Sequence, residues 1–391
     1  MGMTPALAVR RGVHVLVVAV ADGVWVRLAV ERALRDLGWV AAWSPADADV
    51  LAVCGSPADA EAAAVKQLWQ QLPGPRARVD LATADDVAAS LARCAAALDD
   101  GGLQAVLARE ADDAAQEAGR GRGEMDHNRH DEMEHGDHSD MQHGGGHDQM
   151  NHGEMEHGDM EMSGPAGIPL AEGADDDRDE LEMDAWHVVL GPGLPGWPAG
   201  LVLRTTLHGD VVTALETVAA PASGSPGDLG GPADLGGPGD RSGPDGPVPH
   251  AALLADAAAT VLDLAGWGVA AASARRARDD LLDGRAPGPV ADALERLARR
   301  VRRSVLLRWS LQGPGRRRAA PRPSAGRVVR LRLLALLDAA AALLRNPAHP
   351  VGREPAEEPE ALADLAVGQE LGTLRLLVAS LALDARAVAH A

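Results

Sequence analysis

Val13-His14-Val15-Leu16-Val17-Val18-Ala19-Val20 is an apolar run broken only by one histidine, and five of its eight residues are valine. A strand with no polar alternation must be buried on both faces, as in a parallel sheet covered by helices on each side. A helix is therefore expected next. Val26 to Leu37 supplies it, with Leu28, Ala29, Leu34 and Leu37 at helical spacing and Gly38 as the stop. The pattern continues: Asp49 to Cys54 reads as a second buried strand, Gly55-Ser56-Pro57 as a turn, and Asp59 to Leu72 as a helix ended by Pro73. Arg78 to Leu81 reads as a short third strand and Asp85 to Leu98 as a third helix. Strands alternating with helices in this way predict a small open parallel α/β sheet built from βαβ units.

The composition then changes abruptly. Between Glu124 and Met162 lie eight histidines and seven methionines among acidic residues and glycines, and methionine is the only apolar side chain. The spacing is regular. H-x-x-M pairs His130 with Met133, His138 with Met141, His147 with Met150, His152 with Met155 and His157 with Met160. M-x-H pairs Met125 with His127, Met133 with His135, Met141 with His143, Met150 with His152 and Met155 with His157. Imidazole nitrogen and thioether sulfur a few residues apart can close around one ion, and thioether discriminates because hard cations ignore it. Cu(I) or Ag(I) fits best. Twelve Asp and Glu in the same stretch leave Zn(II), Ni(II) and Cu(II) open, since histidine with carboxylate also takes these ions. The glycines and charge predict disorder without a ligand, so the same residues also read as a polar spacer. A solvating spacer has no need of methionine, yet seven of the chain's ten sit here. These overlapping units resemble the Met/His repeats of periplasmic copper- and silver-resistance proteins, a resemblance confined to the tract.

After the tract, residues 181–219 read as strand, turn and strand, and residues 220–249 as a Gly/Pro-rich linker with a near-repeat, G-D-L-G-G-P followed by A-D-L-G-G-P. The rest is helical: Ala251 to Leu264, Ala270 to Leu282, Val290 to Leu311, Gly326 to Leu344 and Ala361 to Leu383. Leu331, Leu334 and Ala335 in one helix and Leu371, Leu374 and Leu377 in another are the expected bundle faces. Asp364, Glu370 and Arg375 interrupt the last segment and argue against a membrane span there. The expected organisation is thus α/β plus helical: an α/β domain over 1–110, a disordered His/Met/acid-rich metal-binding linker over 111–180, a short β segment over 181–219, a linker over 220–249 and a C-terminal helical bundle over 250–391.

Two blocks carry a resemblance. Ser44-Pro45-Ala46-Asp47-Ala48-Asp49-Val50-Leu51-Ala52-Val53-Cys54-Gly55-Ser56, followed by Leu68-Trp69-Gln70-Gln71-Leu72-Pro73-Gly74-Pro75-Arg76, resembles the small subunit of NADH–quinone oxidoreductase (complex I) and the related nickel-iron hydrogenase small subunit. That resemblance covers about the first hundred residues. It implies a [4Fe-4S] cluster held by cysteine thiolates. The family's ligand positions are filled differently here, by Ala21, Asp22 and Gly23 after the first strand and by Ala82-Thr83-Ala84 after the third, and the P-G-C-P-P segment has no counterpart before Asp99-Asp100. Leu190-Gly191-Pro192-Gly193-Leu194-Pro195, Ala199 to Arg204 and Leu207 to Val212 resemble the start of the partner large subunit, with Leu194 and Ala199 where the family has quinone-side histidines. A generic Gly/Pro-turned hairpin is the alternative reading of these thirty residues. The resemblance implies fold and ancestry without cluster or quinone contacts.

The remaining features bound the function further. The chain has 391 residues, no Phe or Tyr, eight tryptophans, thirty-six arginines and one lysine, so its cores must be built from Ala, Leu and Val. The formal charge is −20, and residues 124–162 contribute −11 of it, twelve acids against Arg129. The C-terminal part is locally basic at Arg299, Arg300, Arg302, Arg303 and Arg316 to Arg318, without the interleaved stacking aromatics of a single-strand nucleic-acid binder, so no nucleic acid is expected as partner. Cys54 and Cys94 cannot make a disulfide framework and are expected as reduced, packed thiols. His187, His208, His250 and His349 are expected to be ordinary polar residues. No secretory signal or spanning segment is read, which gives a cytoplasmic expectation. No nucleophile–base pair, phosphate-binding glycine loop or closed zinc spacing is read in the second half of the chain.

Three functions are consistent with these residues. The leading one is a non-catalytic relative of complex I or hydrogenase subunits, with copper(I) or another transition metal in the tract and no iron–sulfur cluster, serving metal handling or assembly. The second is an oxidoreductase subunit that takes cluster ligands from a partner chain. The third is a plain metal buffer. Expected partners are complex I-like or hydrogenase-like subunits, with peripheral association to a membrane complex.

Overall fold

A computed structural model of the chain describes residues 12–113, 170–171, 185–219, 246–312, 325–347 and 359–385. The first unit runs β1 (His14–Ala19), α1 (Val24–Leu37), β2 (Val40–Ala41), β3 (Val50–Cys54), α2 (Asp59–Gln71), β4 (Ala77–Leu81), α3 (Val87–Asp99) and α4 (residues 101–113). Its four strands are all parallel, in the order β2-β1-β3-β4. Val15, Val50 and Ala52 pack on Val26 and Val30 of α1 and Leu91 of α3, whereas Leu16, Val18, Leu51 and Val53 pack on Val65 of α2. Both faces are covered, which is why β1 and β3 read as continuous apolar runs. The one polar residue in the first run, His14, sits half-buried at the start of β1, its Nδ1 3.0 Å from Asp47 Oδ1.

Two features of this unit differ from expectation. The two-residue strand β2 adds an edge to the sheet, pairing His14 with Val40 and Val15 with Ala41. Helix α4 is an additional element beyond the expected third helix, Asp85 to Leu98, and it runs into the stretch expected to be linker. Asp100 starts it: its Oδ1 accepts from the backbone N–H of Gly102 at 2.9 Å and of Leu103 at 3.1 Å, an N-cap that substitutes for the missing helical bonds. Gln104 then ties α4 to the sheet, accepting from Arg76 N at 2.9 Å and donating to Arg76 O at 3.0 Å.

The second sheet is antiparallel, in the order β5 (Leu170–Ala171), β6 (Ala185–Leu190), β7 (Val202–His208), β8 (Val211–Ala219). It is larger than the expected strand–turn–strand, and β5 comes from the stretch assigned to the linker.

The helical region comprises α5 (Pro247–Leu264), α6 (Gly268–Leu282), α7 (Pro287–Arg303), α8 (Val305–Gln312), α9 (Ala325–Arg345), α10 (Pro359–Ala366) and α11 (Leu371–Ser380). Two helices expected as continuous are broken. The segment Val290 to Leu311 divides at Ser304, whose Oγ accepts from Leu307 N at 3.1 Å and caps α8. The segment Ala361 to Leu383 divides because the chain between α10 and α11 pairs with β8: Val212 N donates to Gln369 O at 2.9 Å and Gly368 N to Val212 O at 2.7 Å. On α9 the expected face of Leu331, Leu334 and Ala335 is displaced. Leu331 is 53% exposed, and Val329, Leu333, Leu336, Leu337 and Ala340 are buried instead, whereas on α11 Leu374 and Leu377 are buried as expected.

One core unites these parts. Trp25 and Leu28 of α1 pack in the same cluster as Leu203 of β7, Val212 of β8 and the alanines of α5 and α6. Ala251, Ala255, Ala258 and Ala259 face Ala270, Ala271, Ala274 and Ala277, all buried, and such small side chains let two helices approach closely where no Phe or Tyr fills space. No helix among the described residues is long and apolar enough to cross a membrane.

Candidate functional site

In an open α/β sheet the usual ligand position lies beyond the carboxyl ends of the strands, where the connections diverge. Here that point is between β1 and β3: the chain leaves β1 through α1 toward β2, and leaves β3 through α2 toward β4 on the opposite side. The loops at this mouth hold Ala21, Asp22, Gly23, Gly55 and Ser56, and they are bonded to one another. Asp22 Oδ1 accepts from Ser56 N at 2.8 Å, and Val20 N donates to Cys54 O at 3.0 Å. Glu61, buried on α2, accepts from Ala21 N at 3.1 Å and from Ala58 N at 3.0 Å. Close approach requires glycine at two positions: a Cβ on Gly23 would lie 1.8 Å from Cys54 O, and Gly55 has φ +96°. The mouth is stitched shut by carboxylates and backbone.

These residues do not fit an iron–sulfur cluster. The two described thiols face the core beneath the mouth rather than the mouth itself, Cys54 at the end of β3 and Cys94 on α3, both free and buried. Burial pushes the Cys54 thiol far above its ordinary value and raises Cys94 to about 11. Both are packed into the core away from the mouth, and two thiols are half of the four ligands that a cubane cluster takes.

Below the mouth, α1 carries a stripe of alternating charge, Arg27, Glu31 and Arg35, that meets Asp256 of α5 and Arg278 and Asp279 of α6. Arg27 contacts Glu31 and Asp256 at 2.7 Å each, and Asp384 at 3.5 Å. Arg278 has no exposed side-chain surface; it lies 2.6 Å from Glu31, 2.9 Å from Asp279, and in contact with Asp256. Arg35 closes the row on Asp279 at 2.5 Å. Burial would favour neutral Asp256, but Arg27 and Arg278 outweigh it and hold its carboxyl well below the usual range. Asp384, more loosely paired, is pushed by burial up to about 6 despite Arg27, and its Oδ1 accepts from Ala199 N at 3.1 Å. The alternation fixes how α1 registers on α5 and α6, because a shift by one helical turn would set like charges together. Its carboxylates and guanidiniums are engaged with each other, and of its buried nitrogens Arg27 Nε and Arg278 Nη2 have no hydrogen-bond partner among the described residues.

The two blocks that carry the family resemblance touch. A Cβ on Gly193, in the β6–β7 loop, would lie 2.7 Å from the Leu68 side chain of α2. Ala199 is buried and Leu194 packs against the shared core, so both positions where quinone-side histidines are expected from the resemblance are filled by packing.

Of the scattered histidines, His187 Nδ1 sits 3.1 Å from Thr206 Oγ1 at the surface. His250 departs from expectation: it is buried in the bundle, burial lowers its pKa, and its Nε2 has no hydrogen-bond partner among the described residues. The signal missed was its place one turn into an otherwise alanine- and leucine-rich helix.

The expected metal ligands fall elsewhere in the chain. His127, His130, His135, His138, His143, His147, His152 and His157 all lie outside the described residues, as do Met125, Met133, Met141, Met150, Met155 and Met160. His349 lies outside them too. Among the described residues no group of three or more His, Cys, Asp or Glu is placed to hold a metal ion. Comparisons with family profiles, with characterised proteins and with solved structures give no match.

Proposed function

We propose that this chain is a non-catalytic, metal-handling accessory descended from complex I or hydrogenase subunits, binding soft metal ions through its His/Met tract. The observation that carries the reading is the tract itself: five H-x-x-M units between Met125 and Met160, interlocked with five M-x-H units. The geometry of the folded parts supports it. The sheet mouth, where the resemblance implies a cluster, offers glycines, alanines and bonded carboxylates, and both thiols are buried in the core, which leaves the tract as the better candidate for metal chemistry. The ancestry is supported by contact between the small-subunit-like block at Leu68 and the large-subunit-like loop at Gly193 in one chain. Partners of the complex I or hydrogenase type follow from that ancestry alone.

The test is a titration of Cu(I), Ag(I), Ni(II) and Zn(II) into the intact chain, a chain lacking residues 124–162, and one with the seven tract methionines changed to leucine. Several soft ions should bind the intact chain, with Cu(I) binding lost on deletion and weakened by Met→Leu. Affinity should fall as the histidines protonate below about 6.5. Cu(I) affinity untouched by Met→Leu, with tight Ni(II) or Zn(II), makes the thioethers incidental and the site a histidine–carboxylate one. Unchanged affinity on deletion ends the metal reading.

A further inference from the structure

In a protein of net charge −20, the sequence from Arg296 to Leu337 carries thirteen arginines and no acidic residue. The structure puts an apolar patch in the middle of it. Helix α8 anchors itself through Leu307, 3% exposed, and Leu311, 8% exposed, one turn apart. Its other side is bare: Val305 is 66% exposed, Leu306 72% and Trp309 71%. Arg303 and Arg308, both exposed, flank these three and have no ion-pair partner among the described residues, whereas Arg302 is engaged by Asp338.

We propose that this face, the end of α7 together with α8, docks on an anionic phospholipid surface. A short helix with Trp and aliphatic residues on its open side and arginine beside them matches the chemistry of an interfacial helix, the apolar groups entering the headgroup boundary while the guanidiniums meet lipid phosphates. Charge complementarity selects the anionic bilayer over a neutral one. The aliphatic pair selects it over nucleic acid, since Val305 and Leu306 gain nothing from phosphates or bases, which are held by stacking and charge. The inference is independent of the metal-handling reading, because none of these residues belongs to the tract.

Flotation of the full chain with vesicles of phosphatidylcholine, and of phosphatidylcholine with phosphatidylglycerol, tests it. Binding should require phosphatidylglycerol and weaken with salt. Each of Arg303→Gln and Arg308→Gln should lower affinity about fivefold, and Leu306→Ser with Trp309→Ser should abolish it at unchanged far-ultraviolet circular dichroism. In the unaltered protein, brominated lipid should quench a fluorescence component that Trp309→Leu removes. Absence of binding to anionic vesicles, equal binding to neutral ones, or binding indifferent to both sets of substitutions overturns the proposal. Tighter binding to single-stranded RNA or to a polyglutamate chain, lost with the arginines but unaffected by Leu306→Ser, also overturns it.

Discussion

Replacing Arg278 with methionine tests whether the charged seam holds the α/β unit to the helices. Its guanidinium contacts Glu31, Asp256 and Asp279, and none of its side chain reaches solvent. In the native seam four carboxylates, Glu31, Asp256, Asp279 and Asp384, face three guanidiniums, Arg27, Arg35 and Arg278. Methionine fills much of the same volume but leaves the four carboxylates with two cations, in a place where water cannot replace the third. Removing one partner from a buried ion pair costs about 3–5 kcal/mol, because the other charge stays buried and uncompensated. That is a large share of an unfolding free energy of about 5–15 kcal/mol. Urea unfolding should show the loss as a lower midpoint at similar slope. Arg345→Met is the control, since Arg345 meets Asp292 and Glu295 at 44% exposure, where solvent screens the pair, and should leave the urea midpoint nearly unchanged. Adding Glu31→Gln to Arg278→Met should recover part of the loss, because one of the stranded charges disappears. If Arg278→Met costs no more than Arg345→Met, the seam contributes nothing and the reasoning is refuted.

Two further outcomes follow from the same geometry. Asp384 has a folded-state pKa raised from 3.8 to about 6, so the folded chain binds its proton more tightly than the unfolded one; the stability it contributes is present below 3.8 and lost as pH rises through about 6. Asp384→Asn, which keeps an acceptor for Ala199 N, should therefore stabilise the chain above pH 6 relative to the unaltered protein, with the difference gone by about pH 4; urea midpoints across that range check it, and a gain that grows on acidification contradicts it. Cys54 and Cys94, at 0% and 4% exposure, should react with a thiol reagent only after denaturant is added; prompt labelling of both in buffer would show that the cores around β3 and α3 are open.

Local pattern accounts for much of the architecture. Val13 to Val20 and Asp49 to Cys54 announce doubly covered strands because a side chain with nowhere polar to point leaves its mark residue by residue. The same holds for α5 and α6, whose alanine and leucine content needs only the 3.6-residue period to be recognised. The Met/His tract is visible as a pattern, since its spacing lies within a few residues: the interval from Met125 to His127, from Met133 to His135 or from Met141 to His143 is complete in three positions. Asp100 and Ser304 are local signals as well: a cap residue ahead of Gly-Gly-Leu and ahead of Val-Leu-Leu starts a new helix, and reading past each of them gives the wrong boundary.

Other features depend on residues far apart in the chain, and the folded structure alone settles them. The break between α10 and α11 is fixed by bonds from Gly368 and Gln369 to Val212, more than 150 residues earlier; the one local mark of it in residues 359–385 is Gly368, at φ +81° just past the end of α10. The pattern misplaces the face of α9 for the same reason, since an apolar stripe with arginines at Arg327, Arg330 and Arg332 allows two rotations and only the packed neighbours choose Leu333 over Leu331. The seam is the clearest case. Arg27, Glu31 and Arg35 look like a solvated helix face until Asp256, Arg278 and Asp279 are brought against them, because a charge's energy depends on which opposite charge shares its low-dielectric surroundings, and sequence distance carries no information about that.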